Sequence, residues 1–154
     1  MVKFIGEYEA KIDEKGRVVV PSLFKSIVSK ELNKESFDQI SFVIKKSIFS
    51  NCLEMYTYEQ WESESESIKS RLNFFKPEHD KFWREYLKNR ALVTLDQKVG
   101  RIIIPKNLLS RIGAEKEIIF VGNDFKIEIW AKENYRIEQM DESDFVKLAT
   151  KLLG

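Results

Sequence analysis

Two short segments of this chain place an acidic residue, a glycine and basic residues in the same order. The first is Asp13-Glu14-Lys15-Gly16-Arg17, and the second is Asp96-Gln97-Lys98-Val99-Gly100-Arg101. Arginine carries a rigid fork of donors that can hydrogen-bond guanine edges in the major groove of DNA, whereas lysine mainly attracts phosphate. The chemistry that these segments could perform is therefore recognition of a nucleic acid.

Each basic segment is predicted to be the turn of a β-hairpin. Asp13 can accept hydrogen bonds from backbone N–H groups just ahead of it. Gly16 lies where the chain needs a positive φ before it enters the next strand, and the valine run 18–20 begins that strand. Asp96 and Gly100 take the same places in the second copy, so we expect these acids and glycines to be structural residues of the turns.

The strand, turn and strand unit occurs twice and continues in the same way each time. Pro21 and Pro105 end the return strands, and a short helical pattern follows each of them. Gly113 suits a C-terminal cap of the second of these helices. Residues 53–61 and 127–135 also match, since each runs from a strand with an aromatic end into a helix. Two matched blocks in the same order indicate an internal duplication.

These features together resemble the MraZ family over nearly the whole chain. The resemblance rests on residues 4–12, the paired turns, the central helical segment and the closing residues 127–130. MraZ proteins are bacterial transcriptional regulators associated with the division and cell-wall gene cluster, and each half of this chain looks like a SpoVT/AbrB unit. The resemblance implies an α+β fold, a pseudo-two-fold swapped-hairpin (AbrB-like) β-barrel built from two tandem repeats with flanking helices. It also implies a ring-like homo-oligomer that binds repeated promoter sequences in double-stranded DNA, at the nucleoid in the cytoplasm.

The second turn departs from the first because Val99 makes it one residue longer. The extra residue could be absorbed as a bulge or a longer loop, or it could re-aim Lys98 or Arg101. Arg17 could also pair with Asp13 instead of contacting DNA. We interpret the recurrence of the arginine beside a displaced acid as favouring DNA contact, since a purely structural pair should keep its spacing.

The residues expected to contact DNA are all cationic and lie in or next to the two turns. They are Lys15, Arg17, Lys98 and Arg101 in the turns, with Lys11, Lys25 and Lys106 as flanking residues. The expected organisation is a first repeat with its helix at 1–75, a connecting helix at 76–90, and a second repeat with a C-terminal helix at 91–154.

Composition removes several other classes of function. The formal charge is +1 over 154 residues, so any affinity for DNA has to come from local placement of cations. No apolar run predicts a membrane span or a signal peptide. The single Cys52 fits a reducing cytoplasm, and His79, the only histidine, has no ligand cluster around it. With no nucleophile set or phosphate loop, we expect no enzyme, no cofactor and no metal.

The helical segments leave two further readings open. An aromatic stripe at 82–90 predicts core packing or a subunit contact, and the amphipathic pattern at 145–152 predicts a helix that caps the fold or contacts a neighbour. An AbrB-like antitoxin or accessory protein with a protein partner would use such helices. An oligomeric scaffold without DNA affinity would fit the near-neutral charge.

Overall fold

The computed structural model describes residues Met1–Gly154 as eight strands and six α-helices. The strands are β1 Glu7–Lys11, β2 Arg17–Val19, β3 Ser41–Lys46, β4 Leu53–Thr57, β5 Ala91–Thr94, β6 Arg101–Ile103, β7 Glu117–Asn123 and β8 Lys126–Ala131. The helices are α1 Ser22–Glu31, α2 Tyr58–Lys69, α3 Pro77–Leu87, α4 Lys106–Arg111, α5 Lys132–Ile137 and α6 Glu142–Leu153, with a 3₁₀ turn at Phe37–Gln39.

The two halves of the chain exchange strands in a pseudo-two-fold manner. The large sheet has six strands in the order β1-β7-β8-β4-β3-β5, and β2 pairs with β6 in a second sheet of two strands. The first strand of each half lies against the third strand of the other half, since β1 pairs with β7 and β5 pairs with β3. All of these pairs are antiparallel. The α+β class is therefore confirmed, whereas the hydrogen bonding does not close into a barrel.

Each basic turn is closed by a backbone hydrogen bond, from the Asp13 amide to the Arg17 carbonyl at 3.0 Å and from the Asp96 amide to the Arg101 carbonyl at 2.9 Å. The flanking strands do not pair with each other, however, so the prediction of β-hairpins was wrong. The strands on either side of each turn have different partners, because β1 pairs with β7 while β2 pairs with β6. Alternation of apolar residues determines which face of a strand is buried, but it does not determine which strand lies beside it. Hairpins form elsewhere in the chain, between β3 and β4 and between β7 and β8.

One hydrophobic core is shared by the two halves. Its 22 buried residues include Phe4, Phe24, Phe42 and Phe120, drawn from both repeats. The Phe24 ring meets the rings of Phe4 and Tyr8 edge to face, with centroids 5.3 and 5.2 Å apart. Because strands of each half complete the sheet of the other, neither half has a separate interior.

The ends of several helices follow local signals in the sequence. Pro77 begins α3, and Asp141 caps α6 by accepting a hydrogen bond from the Asp144 amide at 2.8 Å. Gly113, at φ +66°, follows α4, and the amide of Ala114 bonds back to the Leu109 carbonyl at 3.0 Å. No helix in the chain is both long enough and apolar enough to cross a membrane.

Candidate nucleic-acid interface

The first basic turn is organised around the carboxylate of Asp13. Oδ1 accepts hydrogen bonds from the amides of Lys15 and Arg17, both at 2.9 Å, and Oδ2 accepts from Arg17 Nε at 2.6 Å. Gly16 has φ +83°, and a Cβ there would lie 2.6 Å from the Ile104 carbonyl oxygen. The turn therefore requires glycine both for its backbone angle and for its close approach to β6.

The second turn repeats this arrangement around Asp96 despite its extra residue. Oδ1 accepts from the amides of Val99 at 2.8 Å and Gly100 at 3.2 Å. Oδ2 accepts from the amide of Arg101 at 3.1 Å and from its Nε at 2.8 Å. The same carboxylate accepts a hydrogen bond from the additional backbone N–H group, so Val99 lengthens the turn without displacing the arginine.

The pairing of the arginines with the aspartates changes one step of the sequence argument. We expected a purely structural acid–arginine pair to keep its spacing, yet Arg101 bonds Asp96 as Arg17 bonds Asp13 although the second pair is one residue farther apart. The changed spacing therefore does not favour DNA contact, because the longer loop compensates for it. Only Nε is engaged in each case, and neither Nη1 nor Nη2 of either guanidinium has a hydrogen bond within the subunit.

The backbone hydrogen bonds keep both turn carboxylates ionised. The amide of Arg17, then its side chain and the Lys15 amide, lower the pKa of Asp13 below its usual range. The amide of Val99, followed by the Arg101 side chain, lowers the pKa of Asp96 further still. Since each carboxylate is charged over the physiological range, each can orient a guanidinium continuously.

Both arginines lie on the outer face of the β2–β6 ribbon. Val18 and Ile102 pair at its centre and point inward, with 2% and 1% of their surface exposed. Because side chains alternate along a strand, the outer face carries Arg17, Val19, Arg101 and Ile103. In the register Arg17 lies opposite Ile103, and Val19 lies opposite Arg101. The face is therefore a pseudo-two-fold patch of two cations and two exposed apolar side chains.

Four of the five predicted lysines are exposed next to this ribbon. Lys11, Lys15, Lys98 and Lys106 are solvent-exposed, and none of them has an acidic partner within 4.0 Å. Lys106, from the second half, lines a hollow beside Glu14 of the first turn. These ammonium groups are free to attract an anion.

Lys25 differs from the flanking residue that the sequence predicted, because its side chain is buried. Its Nζ donates a 2.8 Å hydrogen bond to the Val99 carbonyl and lies 4.9 Å from the centre of the Phe37 ring. Burial lowers the pKa of Lys25, and the nearby Asp96 carboxylate offsets part of that effect. Lys25 supports the longer second turn from beneath and is not available as a surface cation.

Replacing Lys25 by methionine is expected to loosen the second turn alone. A hydrogen bond from a charged donor contributes roughly 1.5–3 kcal/mol, so amide exchange at Gly100 and Arg101 should accelerate about 10-fold or more. Hydrogen exchange measured by NMR would show this. Leu109→Met is the matched control, because Leu109 has the equivalent place in α4 and lines the hollow beneath the first turn. Equal exchange rates in the wild type and Lys25→Met would contradict the supporting role.

Sequence reasoning missed the buried role of Lys25 and the apolar half of the ribbon face. Aligning the two repeats gives a signal for the first, since a lysine in α1 corresponds to Leu109 in α4 and accompanies the turn with the extra valine. Strand alternation gives a signal for the second, because Val19 must share a face with Arg17.

The fold and this interface define a class of protein. It is a two-repeat α+β protein whose halves exchange strands and present two aspartate-oriented arginines on one short ribbon.

Comparison with known proteins agrees with that architecture. The family model described as "MraZ protein", a description that also likens the family to antitoxins, matches residues 3–85 and 87–153. The transcriptional regulator MraZ of Christiangramia forsetii is 37% identical over 155 residues, which cover 100% of this chain and 95% of the relative. That of Bacteroides fragilis is 38% identical over 133 residues, covering 86% and 80%. That of Thermoanaerobacter sp. is 36% identical over 129 residues, covering 84% and 81%. The chain therefore belongs to the MraZ family.

Proposed function

We propose that this protein is a sequence-specific DNA-binding regulator of transcription. Its relatives are named transcriptional regulators, which supports the regulatory part of this proposal. The observation that carries the proposal is the outer face of the β2–β6 ribbon, where Arg17 and Arg101 are each oriented by an ionised aspartate. A two-stranded ribbon has a width that the major groove of DNA accommodates.

The chemistry of the two arginines suits base recognition. Asp13 and Asp96 engage Nε, which leaves the Nη groups of each guanidinium without a hydrogen bond in the subunit. Two such donors match the O6 and N7 acceptors of guanine, and prior orientation lowers the entropy that binding would cost. Val19 and Ile103 can contact thymine methyl groups beside them.

The exposed lysines have a different part in this proposal. Lys11, Lys15, Lys98 and Lys106 surround the ribbon and would contact phosphates, which adds affinity without sequence information. Lys25 is left out of the contact set because its ammonium is committed to the Val99 carbonyl.

The proposed assembly is a ring-like homo-oligomer that binds repeated promoter sequences at the nucleoid. One ribbon is a small contact, whereas several ribbons on one ring would bind neighbouring repeats with a high effective concentration. Each half contributes a strand to the other half's part of the large sheet, which supports a swapped-hairpin architecture for each subunit. In that architecture the outer face of the β2–β6 ribbon is the surface that would reach the DNA.

The test is binding of purified variants to the DNA upstream of the protein's own gene cluster. Arg17→Ala and Arg101→Ala are each expected to weaken specific binding by roughly 5- to 150-fold, since a bidentate arginine–guanine pair contributes about 1–3 kcal/mol of discrimination. Fluorescence anisotropy at two salt concentrations would measure this, with oligomer mass checked for every variant.

Arg136→Ala is the control, because Arg136 is also an exposed arginine with an acidic neighbour but lies in α5. It should bind as the wild type does. If Arg17→Ala and Arg101→Ala both kept wild-type specificity with unchanged assembly, the arginines would be structural. The scaffold or partner-binding functions would then be favoured.

A further inference from the structure

Helix α6 has an apolar face that no part of its own subunit covers. Phe145, Leu148 and Leu152 follow helical spacing, and Phe145 and Leu152 are 62% and 68% exposed. None of the helix's residues is buried. A second row of apolar residues, at positions 146, 149 and 153, runs beside the first along the helix. Glu142 begins this second row, so it lies on the apolar side at the start of the helix. The face therefore offers an acid followed by a continuous apolar surface.

A cleft elsewhere on the subunit has the complementary character. It measures about 580 Å³ and lies between the β3–β4 turn and the ends of α3 and α4. Ile48 and Phe82 contribute apolar walls and are 80% and 50% exposed. Five of its ten lining residues are lysine or arginine, and two of these already have acidic partners, Lys45 with Glu54 and Lys88 with Glu85. Arg90 Nη1 is buried there without a hydrogen-bond partner, and Arg111 has no ion pair.

We propose that α6 of one subunit docks in this cleft of a neighbouring copy. The start of α6 and the residues just before it would approach the cations, and this segment is acidic. It contains Glu138, Asp141, Glu142 and Asp144 within seven residues. The apolar face and acidic start of α6 match a cleft that combines the exposed Ile48 and Phe82 side chains with a cation, Arg111, that has no acidic partner. Docking would therefore cover apolar surface on both copies and bring opposite charges together. The proposal deepens the homo-oligomer of the proposed function by naming the contact that builds it.

The geometry of this contact determines the kind of assembly. The helix and the cleft are different surfaces, so the interface is heterologous and every copy has one of each. Such a contact passes from subunit to subunit and ends in a ring when the rotation closes. A helix of 12 residues is about 18 Å long, enough to extend along the cleft.

The decisive experiment mixes two variants that are each defective in one surface. Leu148→Asp places a charge on the helix face, and Ile48→Asp combined with Arg111→Glu alters the cleft. Each is expected to weaken self-association by about 30-fold or more. Because the first variant retains its cleft and the second retains α6, an equimolar mixture should form a one-to-one heterodimer. Light scattering coupled to size exclusion would measure the masses at several concentrations.

Matched controls separate docking from loss of folding. Thr150→Asp introduces the same charge on the polar side of α6, and Ile5→Asp replaces an isoleucine 79% exposed outside the cleft. Both should assemble as the wild type does. The proposal is overturned if either defective variant keeps the wild-type mass, if the mixture does not pair, or if the wild type is monomeric. An acidic protein or a nucleic acid bound by the cleft in a monomeric wild type would identify a different occupant.

The masses are independent of the DNA result. Loss of specific binding in Arg17→Ala with unchanged mass bears only on the ribbon, whereas loss of assembly in Leu148→Asp bears only on α6. Failure of one proposal can therefore be told from failure of the other.

Discussion

Replacing Glu54 by glutamine is expected to lower the free energy of unfolding by about 3 kcal/mol, because it breaks a buried cluster of charges. Glu54 is 7% exposed, and its Oε2 accepts a hydrogen bond from Lys126 Nζ at 2.7 Å. Its Oε1 lies 3.2 Å from Lys45 Nζ and accepts from the Tyr56 hydroxyl at 3.1 Å. Both lysines are mostly buried, so removing the carboxylate would leave two cations poorly solvated. Chemical denaturation monitored by circular dichroism would measure the loss.

Glu128→Gln is the matched control for this substitution. Glu128 lies directly opposite Glu54 in the central strand pair, but its oxygens accept from the neutral Trp130 indole and Asn123 amide. Glutamine can keep one of those bonds, so a loss of only about 1 kcal/mol is expected. Equal losses for the two variants would show that the lysines contribute nothing through Glu54.

The same cluster predicts a dependence on pH. Burial alone would raise the pKa of Glu54, but the hydrogen bond from Lys126 and the charges of both lysines outweigh it and lower the pKa below its ordinary value of 4.5. A carboxylate with a depressed pKa stabilises the fold above that ordinary value and loses its contribution as the pH falls through the folded value. The stability difference between the wild type and Glu54→Gln should therefore be full at pH 7 and shrink below pH 4.5.

The sequence predicted those features that depend on local backbone requirements. Pro21 and Pro105 have no backbone N–H to donate and fix φ, so each could be predicted to lie between a strand and a helix, as it does. Gly113 was recognisable as a cap because its backbone freedom serves a helix end whatever surrounds it. The recurrence of aspartate, glycine and arginine identified the two turns for the same reason, since each turn is built within its own few residues.

Features that depend on distant partners could not be obtained in this way. Strand alternation is the same whether β1 pairs with β2 or with β7, so it does not predict the exchange of strands between the halves. That pairing is determined by how the two halves pack in their shared core. Lys25 is an ordinary helical lysine by sequence, and its burial follows only from the position of the Val99 carbonyl above it. The acid–arginine spacing misled for a similar reason, because Asp96 can accept from one more amide than Asp13 does.

Replacing Gly16 by alanine is expected to destabilise the protein by about 2–4 kcal/mol, combining backbone strain with a steric collision. Gly16 adopts φ +83°, where a residue with a Cβ is strained, and the added atom would lie 2.6 Å from the Ile104 carbonyl oxygen. Relief would require separating the first turn from β6, which breaks the 2.9 Å hydrogen bond from the Ile104 amide to the Gly16 carbonyl. Thermal unfolding of the purified variant would measure the change.

Gly113→Ala distinguishes the collision from the strain. Gly113 has φ +66°, but its nearest neighbour would be a side-chain nitrogen of Asn134 at 3.6 Å, which is an ordinary contact. It should therefore cost only about 1 kcal/mol, the backbone part of the effect. Because Arg17 directly follows Gly16, the first variant should also misplace that guanidinium and weaken DNA binding, whereas Gly113→Ala should not. If the two alanines were equally harmful, the close approach of the turn to β6 would have no energetic consequence, and the ribbon would not depend on glycine there.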